Sequence, residues 1–312
     1  QDWFKETILE GMRLANRKSK LIHRVPLSAN LGTGGSTSID TEKITREAME
    51  ELDFLDEPIW VEIKFNWSHA HSSPELIKVH GGKLSDTYFQ PEPKNYKIAW
   101  MARNEDFFCL RWGVPDFIRD HIATNAQSFV GGYFTGSECY IPAKDYFTKI
   151  DSDVDWQYAF QRQWLFYKLW GRLLYKPDTP DEVFKSAFVQ RYGQEAAGLL
   201  EAYALASKTP LRLASSYDFT WDFTLYSEGF SALQDGKVKY ISVDRQIKHP
   251  TADPDYISVA EYVNKRSTSS SFASDKITPP VLARMLEEDC QKALNLVKDI
   301  QTANNPSLMY EV

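Results

Sequence analysis

Three carboxylates fall close behind two apolar runs: Glu105 and Asp106 after residues 96–101, and Glu138 after residues 128–134. Two carboxylates facing one cleft are what glycosidic bond cleavage requires. One donates a proton to the leaving oxygen, and the other activates water or attacks the sugar. Neighbouring residues on a strand point opposite ways, so a loop is needed if both Glu105 and Asp106 are to face the same cleft. Cations also follow the predicted strands: Lys64, Arg103 and Arg111. A planar guanidinium binds a carboxylate through two hydrogen bonds, so this set fits an acidic sugar. The same cations fit a plainer role, in which they neutralise the chain's own acids. Asp106 would then cap a turn, and Glu138 would pair with Arg103 or Arg111. Asn66, Trp67, His69, Asn104 and Tyr140 add amide, imidazole and ring surface that would shape a pocket.

Other chemistries lack their parts. His69-Ala70-His71 would need a third metal ligand, and neither His80 nor Glu75 is compellingly spaced, so no metal is expected. Gly32-Thr33-Gly34-Gly35 lacks the lysine and helix of a phosphate loop, no dinucleotide fingerprint or nucleophile elbow occurs, and no cofactor is expected. Asn66-Trp67-Ser68 matches the glycosylation acceptor pattern, a short match that arises often by chance. Cys109, Cys139 and Cys290 have no metal spacing and neither demand nor exclude a disulfide. A net charge of −7 argues against a nucleic-acid partner, which needs clustered basic surface. No run approaches the roughly 20 apolar residues of a membrane span. The aromatic share of 14% fits either clefts that stack on sugars or a densely packed core. The chain opens at Gln1-Asp2-Trp3-Phe4 with helix-like sequence and no signal peptide, which reads as an internal start.

These residues need elements to hold them. A helical stripe over 2–17 is followed by a strand at 21–27, a Ser/Gly/Thr-rich loop at 28–38 and a helix at 41–52 that Asp40 can cap. Strands at 58–66, 96–101 and 128–134 follow, with a helix at 115–123. Strand, loop and helix alternating about every 35 residues predicts a parallel sheet with crossover helices. Over residues 1–150 this reads as the catalytic second half of a (β/α)8 TIM-type barrel, with its site at the carboxyl ends of the strands. A doubly wound sheet is the competing arrangement. Residues 151–312 read as an α-helical bundle domain. Helices are expected at 155–174, 180–192, 194–207 and 211–233, with Pro177, Pro180 and Thr209-Pro210 as breaks, then a strand or loop at 237–243 and a last helix at 279–304. Ser267-Thr268-Ser269-Ser270-Ser271 reads as a mobile loop.

Met101-Ala102-Arg103-Asn104-Glu105-Asp106-Phe107-Phe108-Cys109-Leu110-Arg111-Trp112-Gly113 resembles the Arg-Asn-acid-acid…Arg-Trp-Gly segment of α-glucuronidases of glycoside hydrolase family 115. Val130-Gly131-Gly132-Tyr133-Phe134-Thr135-Gly136-Ser137-Glu138-Cys139-Tyr140 is similar to the Gly-Phe-Tyr…Gly-Ser-acid-Gly-Tyr that follows it in that family. Ile63-Lys64-Phe65-Asn66-Trp67-Ser68-His69 is similar to the Lys-Tyr-x-x-x-His before both. Gly171-Arg172-Leu173-Leu174-Tyr175-Lys176-Pro177-Asp178 resembles a segment found after the barrel in several sugar-cleaving enzymes, including family 67 α-glucuronidases. The chain departs at Glu138, where the family has Asp, and at Ile141-Pro142, which replace Val-Trp-Gly. The resemblance covers about residues 55–190. It implies a barrel followed by a helical bundle, secretion or a periplasmic location, and removal of glucuronic acid from a carbohydrate by an inverting mechanism without cofactor. Glu105 and Glu138 would be the acid and base, with Asp106 as substitute. Arg24, Lys64, Asn66, Trp67, His69, Arg103, Asn104, Arg111 and Tyr140 would bind substrate. The missing amino-terminal half of the same enzyme is a further expected partner. A non-catalytic carbohydrate-binding paralogue and a structural fragment of a larger glycosidase are the alternatives.

Overall fold

The computed structural model describes residues 2–16, 20–24, 39–52, 55, 57–66, 72–77, 87–103, 112–136, 156, 158–216, 231–234, 237–240 and 242–312. The chain divides into two compact units, Gln1–Arg103 with Thr124–Thr135, and Asn104–Ala123 with Gly136–Val312.

The first unit is a four-stranded sheet in the order β1 (Ile22–Arg24), β2 (Ile59–Lys64), β3 (Tyr96–Arg103) and β4 (Val130–Gly136). β1 pairs with β2 and β2 with β3 in parallel, in the register Arg24↔Glu62↔Ala99. The alternation of β2 decides which side is buried. Ile59, Val61, Ile63 and the following Phe65 are at most 1% exposed, and opposite them Tyr96, Ile98 and Trp100 of β3 are equally buried. Phe65 and Phe89 set their rings edge-on to Trp100, at 5.4 and 6.0 Å. Widened turns over Phe4–Leu9 run into α1 (Glu10–Leu14), and Phe4 packs on the His23 ring at 4.5 Å. Between β1 and β2 comes α2 (Ile39–Glu50), which buries Ala48 and Met49. It also fixes the approach to β3: Arg46 Nη1 donates to the Thr87 carbonyl at 2.6 Å, and the Glu50 carboxylate accepts from the backbone N–H groups of Lys94 and Asn95 at 3.0–3.2 Å.

The second unit is mostly helical. It contains most of α3 (Pro115–Asn125), then α4 (Ala159–Arg162), α5 (Trp164–Tyr175), α6 (Asp181–Tyr192) and α7 (Leu199–Ser215). A hairpin of β5 (Ser231–Gln234) and β6 (Lys237–Tyr240) follows, then α8 (Val243–Ile247), α9 (Val259–Ser267), α10 (Pro279–Val297) and α11 (Pro306–Met309). α5 buries Leu165, Phe166, Leu169, Trp170 and Leu173, and α6 buries Phe184, Phe188 and Tyr192. Arg119 of α3 joins the start of α6 by donating to Asp181 at 2.6 Å and to the Thr179 carbonyl at 2.7 Å. Near the carboxyl end, buried Glu311 accepts from the hydroxyl of Tyr192 at 3.0 Å and from that of Tyr203. No helix among the described residues is long and apolar enough to cross a membrane.

Several expected boundaries move. The aromatic segment at 155–174 is two helices, because Gln163 leaves helical geometry (φ −96°, ψ 25°). Pro210 does not end a helix: α7 runs through it to Ser215. A proline forfeits one backbone hydrogen bond, and here packing on α10 outweighs that loss. Arg212 is ion-paired with Asp289, and Thr209 Oγ1 lies 3.6 Å from Cys290 Sγ. The helix expected at 211–233 therefore stops at Ser215, and residues 231–234 are a strand. The last long helix ends at Val297 rather than 304.

Residues 267–271 are not a loose loop. Ser270 N–H donates to the Lys265 carbonyl at 2.9 Å and Ser269 N–H to the Arg266 carbonyl at 3.3 Å, the paired bonds of a Schellman cap on α9. Beside it Phe272 stacks on Tyr262 at 5.2 Å. The cap requires a left-handed residue, and Ser269 supplies it at φ +54°. Glycine adopts that conformation without the clash of a side chain. Ser269→Gly is expected to stabilise the fold by about 1 kcal/mol, read as a higher Tm. An unchanged or lower Tm would show that the serine is not strained there.

Candidate functional site: the polar face of the sheet

The two faces of β2 differ in kind. Opposite the aliphatic side, Trp60, Glu62 and Lys64 share the other face, and the parallel register sets Arg24 of β1 beside Glu62. Trp60 and Glu62 are partly exposed, while Lys64, the last residue of β2, is 5% exposed. On β3 the register aligns Lys97, Ala99 and Met101 with Trp60, Glu62 and Lys64. Lys97 is occupied at the opposite end of the strand, donating to the Ser128 carbonyl at 2.8 Å.

Trp60 reaches across the sheet. A Cβ built on Gly132 of β4 would lie 2.9 Å from Cη2 and Cζ3 of the indole, and one on Gly131 would lie 2.8 Å from Lys97 Cβ. Gly132 therefore makes room for the outer edge of the ring and Gly131 for the stem of Lys97, with fully buried Ala99 on the strand between. Gly132→Ala would drive a methyl group into the indole and is expected to cost about 1–3 kcal/mol. Gly171→Ala in α5, where a Cβ meets nothing within 4 Å, is the control and should gain about 0.5–1 kcal/mol. Equal Tm values for the two variants would refute this account of the glycine pair.

Glu62 is set unusually. Its oxygen Oε1 is shut off from solvent and makes no hydrogen bond among the described residues. Arg24 Nε stands 3.8 Å away, close enough for an ion pair but too far for a hydrogen bond. The Arg24 side chain is 53% exposed, so the attraction is weakened by water.

Just past β2, Asn66 has left-handed backbone (φ 48°), which asparagine tolerates better than most residues. Its amide nitrogen donates to the carbonyls of Glu75 (2.6 Å) and Ser73 (3.4 Å), and its oxygen accepts from Ile77 N–H (2.7 Å). That amide holds the segment 73–77 in place beside the strand end. Arg103 closes β3.

Of the expected site residues, Arg24, Lys64, Asn66 and Arg103 thus stand at the carboxyl ends of β1, β2 and β3. Glu105, Asp106, Glu138, Trp67, His69, Asn104, Arg111 and Tyr140 lie outside the described residues. So do Cys109, Cys139, His71 and His80. Among the described residues, no three His, Cys, Asp or Glu side chains gather as a metal site would require. Two members of the polar face, Trp60 and Glu62, go unnoticed when only the residues following each strand are gathered. The signal for them was present, because alternation within β2 groups them with Lys64. Further along, Gly171 and Arg172 of the carboxyl-terminal motif lie exposed on α5, with the Arg172 guanidinium 6.0 Å from the Tyr175 ring.

No family model and no curated protein matches the sequence. The structure is similar to that of the GH138 enzyme targeting pectin rhamnogalacturonan II, with a TM-score of 0.62 and 16% sequence identity. The match covers 99% of this chain and 36% of that one, so the chain spans only about a third of its structural neighbour's length. This parallel α/β sheet with its helices is a fold found in a glycoside hydrolase.

Proposed function

We propose that this chain belongs to a glycoside hydrolase that acts on uronic-acid-bearing carbohydrate, as part of a (β/α)8 barrel followed by a helical domain. One observation carries the reading: Trp60, Glu62 and Lys64 share one face of β2, the parallel register sets Arg24 beside Glu62, and Arg24 and Lys64 close their strands at the carboxyl end. An aromatic ring serves the apolar face of a sugar, a carboxylate its hydroxyl groups, and cations its acid group. The likeness to an enzyme targeting pectin rhamnogalacturonan II supports the same class of substrate.

In this reading Glu105 and Glu138 form the acid and base pair of an inverting reaction, with Asp106 as substitute. The acid protonates the departing glycosidic oxygen. The base takes a proton from water, whose oxygen forms the new bond at the anomeric carbon. Lys64, Arg103 and Arg111 hold the sugar carboxylate, while Trp67, His69, Asn104 and Tyr140 shape the pocket. Asn66 acts through the segment that its amide holds. A polymer substrate outside the cell fits a secreted or periplasmic location, and α-glucuronidase-like specificity is the finer form of the proposal.

The test is incubation of the purified chain with rhamnogalacturonan II and, separately, with glucuronoxylan. Released uronic acid is quantified, and its anomeric configuration is read by NMR before mutarotation. Release with inverted configuration supports the proposal. Binding without release favours a non-catalytic carbohydrate-binding paralogue, and neither binding nor release overturns the reading.

A further inference from the structure

We infer that Glu62 and Trp60 form a sugar subsite on the polar face of the sheet, with Arg24 as the residue that favours an acidic sugar. The inference deepens the carbohydrate reading above and rests on it. It starts from the unfilled acceptor: Glu62 Oε1 is buried and takes no hydrogen bond among the described residues. A buried carboxylate oxygen in that condition costs the fold stability, and the Arg24 guanidinium is out of hydrogen-bond range at 3.8 Å. A fold keeps such a group when an incoming donor completes it, and sugar hydroxyls are donors of that kind.

The neighbours determine the kind of ligand. Two residues before Glu62 on the same face, Trp60 extends its ring across β3 to the space left by Gly132. An indole beside a carboxylate suits a pyranose, whose C–H face stacks while its rim hydroxyls donate. Arg24, half in solvent and facing Glu62 across the strand pair, is free to turn its guanidinium to a carboxylate on the sugar. Its pairing with Glu62 at a distance too long for a hydrogen bond is easily exchanged for a bidentate one.

Calorimetric titration of the full chain with D-galacturonic and D-glucuronic acid tests this, with D-galactose and D-glucose as neutral controls. Glu62→Gln and Trp60→Ala are each expected to weaken both acidic and neutral sugars by about tenfold or more, as when a site built for a hydroxyl loses its partner. Arg24→Gln should instead remove the preference for the acidic sugars. In parallel, Glu62→Gln should leave Tm unchanged or raise it, because it removes a carboxylate whose shielded oxygen lacks a hydrogen bond. Undiminished binding in Glu62→Gln overturns the subsite while leaving the hydrolase reading intact. A fall in Tm accompanying the loss of binding also overturns it, since the carboxylate would then be holding the sheet. A wild-type chain that binds no uronic acid removes the carbohydrate reading and the subsite together.

Discussion

Glu138→Gln is expected to lower kcat on a uronic-acid-bearing substrate by about 100-fold or more, with little change in KM. A glutamine matches glutamate in size but neither gives nor takes the proton that glycosidic cleavage moves, and a positioned acid or base contributes about 10²–10⁴-fold. The pH profile adds a second readout. An acid and base pair produces a bell-shaped dependence, and removing one member should erase one limb while Glu105→Gln erases the other. Lys64→Met should act differently. A residue that holds the sugar's acid group equally in ground and transition state raises KM and leaves kcat near its original value. Near-normal turnover in Glu138→Gln removes that residue from the mechanism and moves attention to Asp106. Turnover that survives in Glu138→Gln but is lost in Glu62→Gln would relocate the chemistry to the polar face of the sheet.

The second large effect concerns acid stability. His121 of α3 is 0% exposed, lies edge-on to Trp170 at 5.5 Å and leans on Phe117 at 5.8 Å. Burial among these rings disfavours the imidazolium and lowers the pKa from 6.5 to about 3. The unfolded chain therefore takes up a proton at a higher pH than the folded one. Stability is present in full above about 6.5 and drains away as pH falls towards 3. The slope approaches about 1.4 kcal/mol per pH unit, and the loss reaches roughly 5 kcal/mol at the acid end. His121→Phe fills the same aromatic niche with nothing to protonate, so its stability should fall less steeply over that window. Urea unfolding at several pH values between 7 and 4 gives the comparison. Carboxylates titrate in both proteins, so the difference between the two curves isolates the histidine. Parallel curves would mean that the ring accepts its proton without opening the fold.

Turnover and sugar binding together separate the hydrolase from its alternatives. A carbohydrate-binding paralogue would show the Trp60 and Glu62 binding losses without any turnover for Glu138→Gln to reduce. A structural fragment of a larger glycosidase would retain the His121 acid response and bind no sugar. The match to only part of a longer chain makes this comparison worth running on the full chain together with any sequence that adjoins it.

Strand and helix positions were legible wherever a local pattern repeats. Ile59, Val61 and Ile63 alternate with Trp60, Glu62 and Lys64, so the strand and its two faces can be read directly. α6 starts just after Pro180 as its sequence predicts, with acidic Asp181 and Glu182 in its first turn. Legibility failed where a distant contact overrides a local preference. Pro210 is a helix breaker by its own chemistry, yet α7 continues because Arg212 and Thr209 meet Asp289 and Cys290 more than 75 residues further on. The serine run after α9 reads as loose because of its composition, and it is ordered by backbone bonds to the last turn of the helix. The β5–β6 hairpin runs against the helix expected at 211–233, although the sequence between its strands, Asp235-Gly236, is a favoured hairpin pair.

What the sequence determined by itself was the repertoire: cations at strand ends, an aromatic and a carboxylate two apart on β2, and alternating strands and helices that require a layered α/β sheet. Those features depend on spacing along the chain, which a periodic backbone converts directly into faces. Only the tertiary structure decided which face is buried, that the Asn66 amide is committed to the segment 73–77, and that Glu62 is left with an unfilled acceptor between Arg24 and Trp60. Burial and hydrogen-bond partners depend on neighbours remote in sequence. A residue's chemical type fixes what it can do, and its surroundings fix which of those capacities remains available to a ligand.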